Sequence, residues 1–390
     1  MLSARVPAAL LRRGVMLLAA IAMCLTTSRC AGSSSQPPSG SAASPSAAES
    51  AASPSASESA ASPSPSVVAA ADRFLSRYVT SDGRVIRHDQ GGDIVSEGQA
   101  YGMLIAELAG RPSLVNTIWS WTAAHLQRSD GLLKYHATGT GQIEDANPAA
   151  DADALAAYAL LRYSGADQAR LRAAGRRIAD AVLAHESVTS GGAVVVAAGT
   201  WATHTTPTTV NPSYLMPGVF SALAKLTGDD RWQRAASTSI TLVRGLTADG
   251  RQLPTDWAGF QDGRLMPSAA PDGSAPVQYG LDAARLPLWF GSACSPDARQ
   301  LAARWWTGSL ARADRSSYLA LAPNGAPRNR ATNPVPLLAG AAGAAAAGDA
   351  EASSKLRTRA ARQAQVVPTY YGDAWLALGG ALLDGSLDTC

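Results

Sequence analysis

From Val67 onward, apolar positions recur at three- and four-residue spacing and are punctuated by Gly, Pro, Asn and Asp, the rhythm of amphipathic helices. Twelve helical segments are predicted, beginning near Val67, Glu97, Ser113, Pro148, Gln168, Pro212, Asp230, Gln278, Pro296, Pro334, Ala350 and Tyr370. No alternating run is long enough for a central sheet. The main exception to helix is GGAVVVAAGTW, Gly191 to Trp201, which reads as a short strand or extended loop. Ala-rich apolar segments often alternate with Arg-rich ones such as DQARLRAAGRRIADAVLAH. A helix that is apolar on all sides must be covered by others, so the pattern fits six hairpins with a buried inner layer and a wetted outer layer. An irregular helical bundle is the alternative. In NPAADAD, NPSYLMPG and NPVPLLAG, Asn precedes Pro, which predicts an N-cap followed by the first helical residue.

Before Val67 the pattern changes twice. Arg5, Arg12 and Arg13 precede the apolar run VMLLAAIAMCL, which is too short to span a bilayer, so residues 1–30 read as an export signal. Cys24 and Cys30 are candidates for acylation, although Met23 and Arg29 are bulky where a processing enzyme prefers small residues. Residues 31–66 are Ser, Ala and Pro in near-repeats with almost nothing to bury, a disordered tether. Residues 67–390 form the folded domain. The expected location is secreted or tethered to the cell surface, touching membrane only through an N-terminal lipid or an uncleaved signal. In the exported chain Cys294 and Cys390 remain, either paired in an oxidising compartment or as two thiols.

Charge narrows the function. The chain has 390 residues, a formal net charge of +3, 46% hydrophobic and 16% charged residues, which is ample for a large core but leaves no basic footprint for nucleic acid. The five histidines form no close pair, the Asp residues lack calcium-loop spacing, and no G-x-S-x-G occurs, so neither a metal nor a serine nucleophile is expected, and no cofactor. What remains is carboxylates: Asp93, Glu97 and Tyr101 in DIVSEGQAYGM; Asp145, Asn147, Asp151 and Asp153 in EDANPAADADALAAYALL; and Asp282 with Arg285 in YGLDAARLPLW. Carboxylates among Trp and Tyr suit glycosidic bond cleavage, in which one acid protonates the leaving oxygen and a second carboxylate activates water or attacks carbon. Nine Trp and ten Tyr against four Phe fit rings that stack on sugars, or equally core packing.

In that order, VSEGQAYGML, NPAADADALAAYALL, NPSYLMPG, LPTDW and YGLDAARLPLW resemble glycoside hydrolase family 8, and the likeness runs from about Arg73 to YYGDAWLALGG. The resemblance implies an all-α (α/α)6 barrel and an inverting mechanism on a polysaccharide, with Glu97 as general acid and Asp282 as general base. It further implies that Asp151 grips the sugar beside the scissile bond and that Tyr214 orients the attacking water. Arg285, three residues after Asp282, is spaced to keep that carboxylate ionised. Asp153 reads as a helix cap. Tyr101, Tyr135, Trp201, Trp257 and Tyr279 are candidate sugar contacts, and Asp256 in the DW pair either borders the groove or only ends a loop. Ala150 stands where the family has Ser or Thr, and Ala156 and Tyr163 also depart from its pattern, which bears on substrate preference more than on the reaction. The expected substrate is a β-1,4-linked glucan; chitosan, xylan or mixed-linkage glucan, or a barrel that binds sugar without cutting it, are the alternatives. The protein is expected to act as a monomer.

Overall fold

Twelve α-helices form among the described residues of a computed structural model, which covers 61–390 apart from 313, 388 and 390. They are α1 (Pro65–Tyr78), α2 (Ser96–Leu108), α3 (Pro112–His125), α4 (Ala150–Arg162), α5 (Gln168–His185), α6 (Pro217–Thr227), α7 (Asp230–Leu246), α8 (Leu286–Gly291), α9 (Pro296–Trp305), α10 (Pro334–Ala346), α11 (Ala350–Val366) and α12 (Tyr370–Asp384). The even-numbered helices touch in the cyclic order α2, α4, α6, α8, α10, α12 and back to α2. Each odd-numbered helix packs outside one of them, α3 on α2, α5 on α4, α7 on α6, α9 on α8 and α11 on α10, while α1 covers α12 and so joins the two ends of the folded chain. This is the (α/α)6 barrel that the family resemblance implies, and it agrees with the paired helices of the pattern.

Composition sorts the two rings. In α10 every residue from Pro334 to Ala344 is buried, and its sequence is almost wholly Ala, Gly, Leu, Val and Pro. In α7 the buried residues are Trp232, Ala235, Ala236, Ser239, Leu242, Val243 and Leu246, one stripe at helical spacing, with Arg and Thr on the wet side. Caps set several starts. Asn333 accepts from the Val335 N–H before α10, and Thr369 accepts from the Gly372 N–H before α12.

Three helix starts differ from expectation. The segment at Pro212 makes only a 3-10 turn, Pro212–Tyr214, and α6 begins at Pro217, because a residue preceding proline is pushed out of the helical region and Met216 is non-helical. Near Gln278 the chain is extended, with Tyr279 bridged to Leu321, and turns helical at Ala283. The helix expected at Pro148 starts at Ala150, with Ala149 rather than Asn147 in the capping position.

Loops on the barrel carry short strands, all but β5 unannounced by the pattern: β1 (Ile94–Val95), β2 (His136–Ala137), β3 (Ile143–Asp145), β4 (Ser187–Ser190), β5 (Ala193–Val196), β6 (Thr208–Val210), β7 (Trp257–Gln261), β8 (Arg264–Ser268), β9 (Tyr318–Leu321) and β10 (Pro327–Thr332). They pair antiparallel as β1-β2-β3, β4-β5, β6-β7-β8 and β9-β10. Runs of two to six residues are too short to show alternation. GGAVVVAAGTW contributes β5.

Of the N-terminal expectations, the export signal, the acylation candidates and most of the tether lie outside the described residues. Helix α1 begins at Pro65, two residues before the predicted boundary, and the Ser64 N–H donates to the Asp384 carboxylate at 3.1 Å. Cys294 is disulfide-bonded; Cys390 lies outside the described residues. No helix among the described residues is long and apolar enough to cross a membrane.

Candidate active site

The inner helices bring their first turns to one rim. Glu97 opens α2, Asp151 opens α4, Tyr371 opens α12, and Asp282 and Arg285 precede α8. Each start exposes backbone N–H groups and the positive end of a helix dipole, which favours anions there.

Arg285 stands at the centre. Its side chain is 2% exposed, and its Nη1 donates to Asp151 Oδ2 at 2.9 Å, to Glu97 Oε2 at 3.2 Å and to the Tyr101 hydroxyl at 3.2 Å. Its Nη2 donates to Ser213 Oγ at 2.6 Å and to Asp282 Oδ1 at 3.1 Å. The guanidinium carbon sits 5.5 Å from the centroid of the Tyr214 ring, in cation–π range. Arg285 is thus more than a partner three residues from Asp282, because one cation meets three carboxylates.

A single positive charge cannot neutralise all three, so one carboxyl is driven to hold a proton. Asp151 accepts two hydrogen bonds, from Arg285 and from the Ala152 N–H at 2.9 Å. Asp282 likewise accepts two, from Arg285 and from Asn211 Nδ2 at 2.9 Å. Among the described residues, the contact that Glu97 accepts is the longer one from Arg285, at 3.2 Å. Burial raises its pKa and, with the charges of Asp151 and Asp282, outweighs the opposing Arg285 and Arg87, leaving it at about 7. Burial and the charge of Asp282 also raise Asp151, against the pull of Arg285. The proton belongs on Glu97, the carboxyl with the fewest donors. Gly98 beside it is required by close approach: a Cβ there would sit 2.9 Å from the Tyr370 hydroxyl.

Asp282 is 37% exposed, Glu97 is 18% exposed, and both take hydrogens from opposite nitrogens of the same planar fork. That reach holds their nearest oxygens within roughly 9 Å of each other.

Not every expected contact meets the others. Tyr101 is buried beneath the site and accepts from Arg285 through its hydroxyl, so it supports the cation rather than offering a ring face. Tyr279 is 1% exposed, and its placement corrects the expectation that it stacks on a sugar, since a ring enclosed by packing has no free face. Tyr135 is 37% exposed and feels the charges of Arg87, Glu97, Asp151 and Asp282. Trp201, Tyr214 and Trp257 are half-buried around one small apolar patch, Ala197, Ala198 and Ala202. Asp93 is absorbed by Arg87 and by His136 Nε2 at 2.8 Å; burial raises its pKa, but these two hydrogen bonds hold it below the usual carboxylate range. Asp145 accepts from the Asn147 backbone and side chain in an exposed local turn.

Asp153 does not cap its own helix. It is fully buried and accepts the Leu133 N–H at 2.8 Å, tying the segment after α3 to α4. Glu186, which no motif marked, is also fully buried. Both its carboxyl oxygens lack a hydrogen-bond partner among the described residues, and burial followed by the charge of Asp153 raises its pKa well above normal. Asn211 and Ser213 were missed as site residues because Asn-Pro reads as a cap. Asn211 does cap the 3-10 turn through Oδ1, yet its amide also holds Asp282. Tyr371 was missed inside an apolar helix pattern; its buried hydroxyl has no partner among the described residues and lies in the field of Arg285, Glu97 and Asp282. Among the described residues no group of three His, Cys, Asp or Glu side chains is arranged to hold a metal ion.

Known proteins share this arrangement of chain and fold. Residues 45–381 match the family model of the glycosyl hydrolases family 8. An endoglucanase of Cellulomonas uda is 28% identical over 262 residues, 65% of this chain and 72% of that relative. A probable endoglucanase of Novacetimonas hansenii is 31% identical over 234 residues, 56% of this chain and 64% of its own length. The solved structure of an endo-β-1,4-glucanase from Acetobacter xylinum superposes with a TM-score of 0.68 at 26% identity, covering 82% of this chain and 97% of that one. With the family model spanning nearly the whole helical barrel and the carboxylates gathered at its rim, the chain belongs to the glycosyl hydrolases family 8 and is a glycoside hydrolase.

Proposed function

We propose that the protein is an exported endo-β-1,4-glucanase that inverts the anomeric centre, with Glu97 as general acid and Asp282 as general base. The observation that carries this reading is the single buried guanidinium of Arg285 shared by Glu97, Asp151 and Asp282. Burial and the neighbouring carboxylates raise the pKa of Glu97 to about 7, so it keeps part of its proton at neutral pH, while Asp282 faces solvent at the rim, an arrangement suited to acid–base hydrolysis.

In the reaction, Glu97 passes its proton to the glycosidic oxygen as that bond breaks. Asp282 takes a proton from a water, whose oxygen attacks the anomeric carbon from the opposite face. The separation limit of roughly 9 Å between the two carboxylates is compatible with the roughly 6.5 to 9.5 Å of inverting pairs, which leaves room for that water. Asp151, fixed by Arg285, holds a hydroxyl of the sugar at the cleaved bond, and the Tyr214 hydroxyl orients the water. Tyr135, Trp201 and Trp257 offer rings to neighbouring sugars, as expected of aromatic side chains with partly open faces.

The substrate class rests on the relatives, which carry endoglucanase names. The test is hydrolysis of a panel of β-1,4-gluco-, xylo- and chitosan oligosaccharides, with the anomer of the fresh product read by NMR. Cleavage of the glucan series to α-configured product is expected. A β-configured product would remove the water-activating role of Asp282, and preference for another series would replace the substrate. Export is tested by N-terminal sequencing of the mature protein, and a single-chain state by light scattering.

A further inference from the structure

Asp256 ends the loop between α7 and β7, far in sequence from the carboxylates at Arg285. Its side chain is 7% exposed. Oδ1 accepts the Gly280 N–H and the Ala283 N–H, each at 2.9 Å, and Oδ2 accepts Gln278 Nε2 at 3.2 Å. The backbone adds a fourth tie, from the Asp256 N–H to the Gln278 carbonyl at 2.8 Å. All four ties land on the segment Gln278–Ala283, which carries Asp282. The contact with Gly280 is so close that a Cβ there would lie 2.3 Å from Asp256 Oδ2.

The Ala283 N–H is one of the first donors of the 3-10 turn Ala283–Arg285, which runs into α8, and the start of a helix leaves such donors without an internal partner. No side chain on the turn itself caps it. Asp256 supplies the cap from another part of the chain. On the other side, Tyr279 exchanges both backbone hydrogen bonds with Leu321, at 2.8 and 2.9 Å. The segment is clamped between Asp256 and β9, and Asp282 projects from its end towards the rim.

We propose that Asp256 is a positioning residue for Asp282, setting the height and direction of that carboxylate through the Gly280 and Ala283 amides without touching substrate. This rests on the reading of Asp282 as the water-activating base. Placement of a base matters steeply, since a displacement of about 1 Å is enough to cost roughly 100-fold in rate.

The test compares Asp256→Ala, Asp256→Asn, Gly280→Ala and Asp282→Asn on cello-oligosaccharides and on a dinitrophenyl cellotrioside, whose leaving group departs without an acid. Asp256→Ala is expected to lower kcat on the order of 100-fold on both substrates, with KM within about threefold. Asp256→Asn, which keeps an oxygen for the two amides, recovers at least about tenfold of that loss. Gly280→Ala, which pushes the carboxylate away, should reproduce the Asp256→Ala pattern even where Asp256→Ala itself fails to fold. Insensitivity to leaving group is the signature of a damaged base, whereas Glu97→Gln should be rescued by dinitrophenolate.

Rescue of Asp256→Ala and Gly280→Ala by the activated substrate, or a loss confined to KM, would overturn the proposal. A loss in Asp282→Asn with full turnover in both other variants would overturn it alone. Full turnover in Asp282→Asn would overturn the base assignment and the proposal together.

Discussion

Arg285 Nη1 donates to Asp151 Oδ2 at 2.9 Å, and each side chain is only 2% exposed. A pair buried this deeply leaves an uncompensated charge when one partner is removed, typically at about 3–5 kcal/mol. Arg285→Met should therefore lower stability by a few kcal/mol and abolish turnover. Arg285→Lys keeps a charge but not a planar fork able to reach Asp151, Glu97 and Asp282 at once, so stability should partly return while kcat stays down about 100-fold or more. Thermal denaturation with reducing-end release checks both, and a fully active lysine variant contradicts the shared-cation geometry.

The pH profile follows from Glu97. Its folded pKa is raised to about 7, and the proposed acid works only while protonated. Activity limited by this group should be flat below that value and fall about tenfold per pH unit above it. On the dinitrophenyl substrate, which needs no acid, the parent should lose this alkaline limb, and Glu97→Gln should show none there either. Persistence of the limb in that variant would assign it to another group, such as Asp256, which burial also raises to about 7.

Glu186 gives a stability prediction independent of catalysis. Burial and Asp153 raise its pKa well above the ordinary range, so the folded state holds the proton more tightly than the unfolded chain does. Such a group costs no stability below the unfolded pKa of about 4.3, and its cost grows as pH rises from there towards the folded value. Glu186→Gln removes that dependence. Its Tm difference from the parent should become more positive between pH 5 and pH 8, as followed by circular dichroism; a difference that is constant or moves the other way would sink the idea.

Trp201 and Trp257 share an apolar patch with Tyr214 and are partly open. Trp201→Ala should raise KM for long cello-oligosaccharides roughly tenfold and leave kcat within about threefold, because stacking acts on bound substrate and product-like states alike. Fluorescence quenching of the parent by oligosaccharide, lost in the variant, would accompany it. An unchanged KM across chain lengths would place the ring outside the substrate path.

Much of this protein is legible along the chain. Most of the twelve helices can be read from spacing because they carry about three or more turns of a stripe or an all-apolar run, the six-residue α8 being the exception, and Pro and Asn mark several starts. The departures from the pattern are local and have two causes. At Gln278 and Pro212, long-range ties and a following proline override the helical pattern, and neither is encoded in periodicity.

Glu97, Asp151 and Asp282 stand out in the sequence because charge is scarce and their motifs recur in order. What they do to one another does not. Arg285 lies 188 residues from Glu97 and 134 from Asp151, and only closure of the helical ring brings one guanidinium to both. The raised pKa of Glu97, the burial of Tyr279, the lone carboxyl of Glu186 and the clamp from Asp256 to Gly280 likewise depend on what lies across the barrel. Helix periodicity is a property of neighbours in the chain, and it is written there. Desolvation and charge coupling depend on distance in space, so the sequence determined which groups were available and the tertiary structure decided which of them hold a proton.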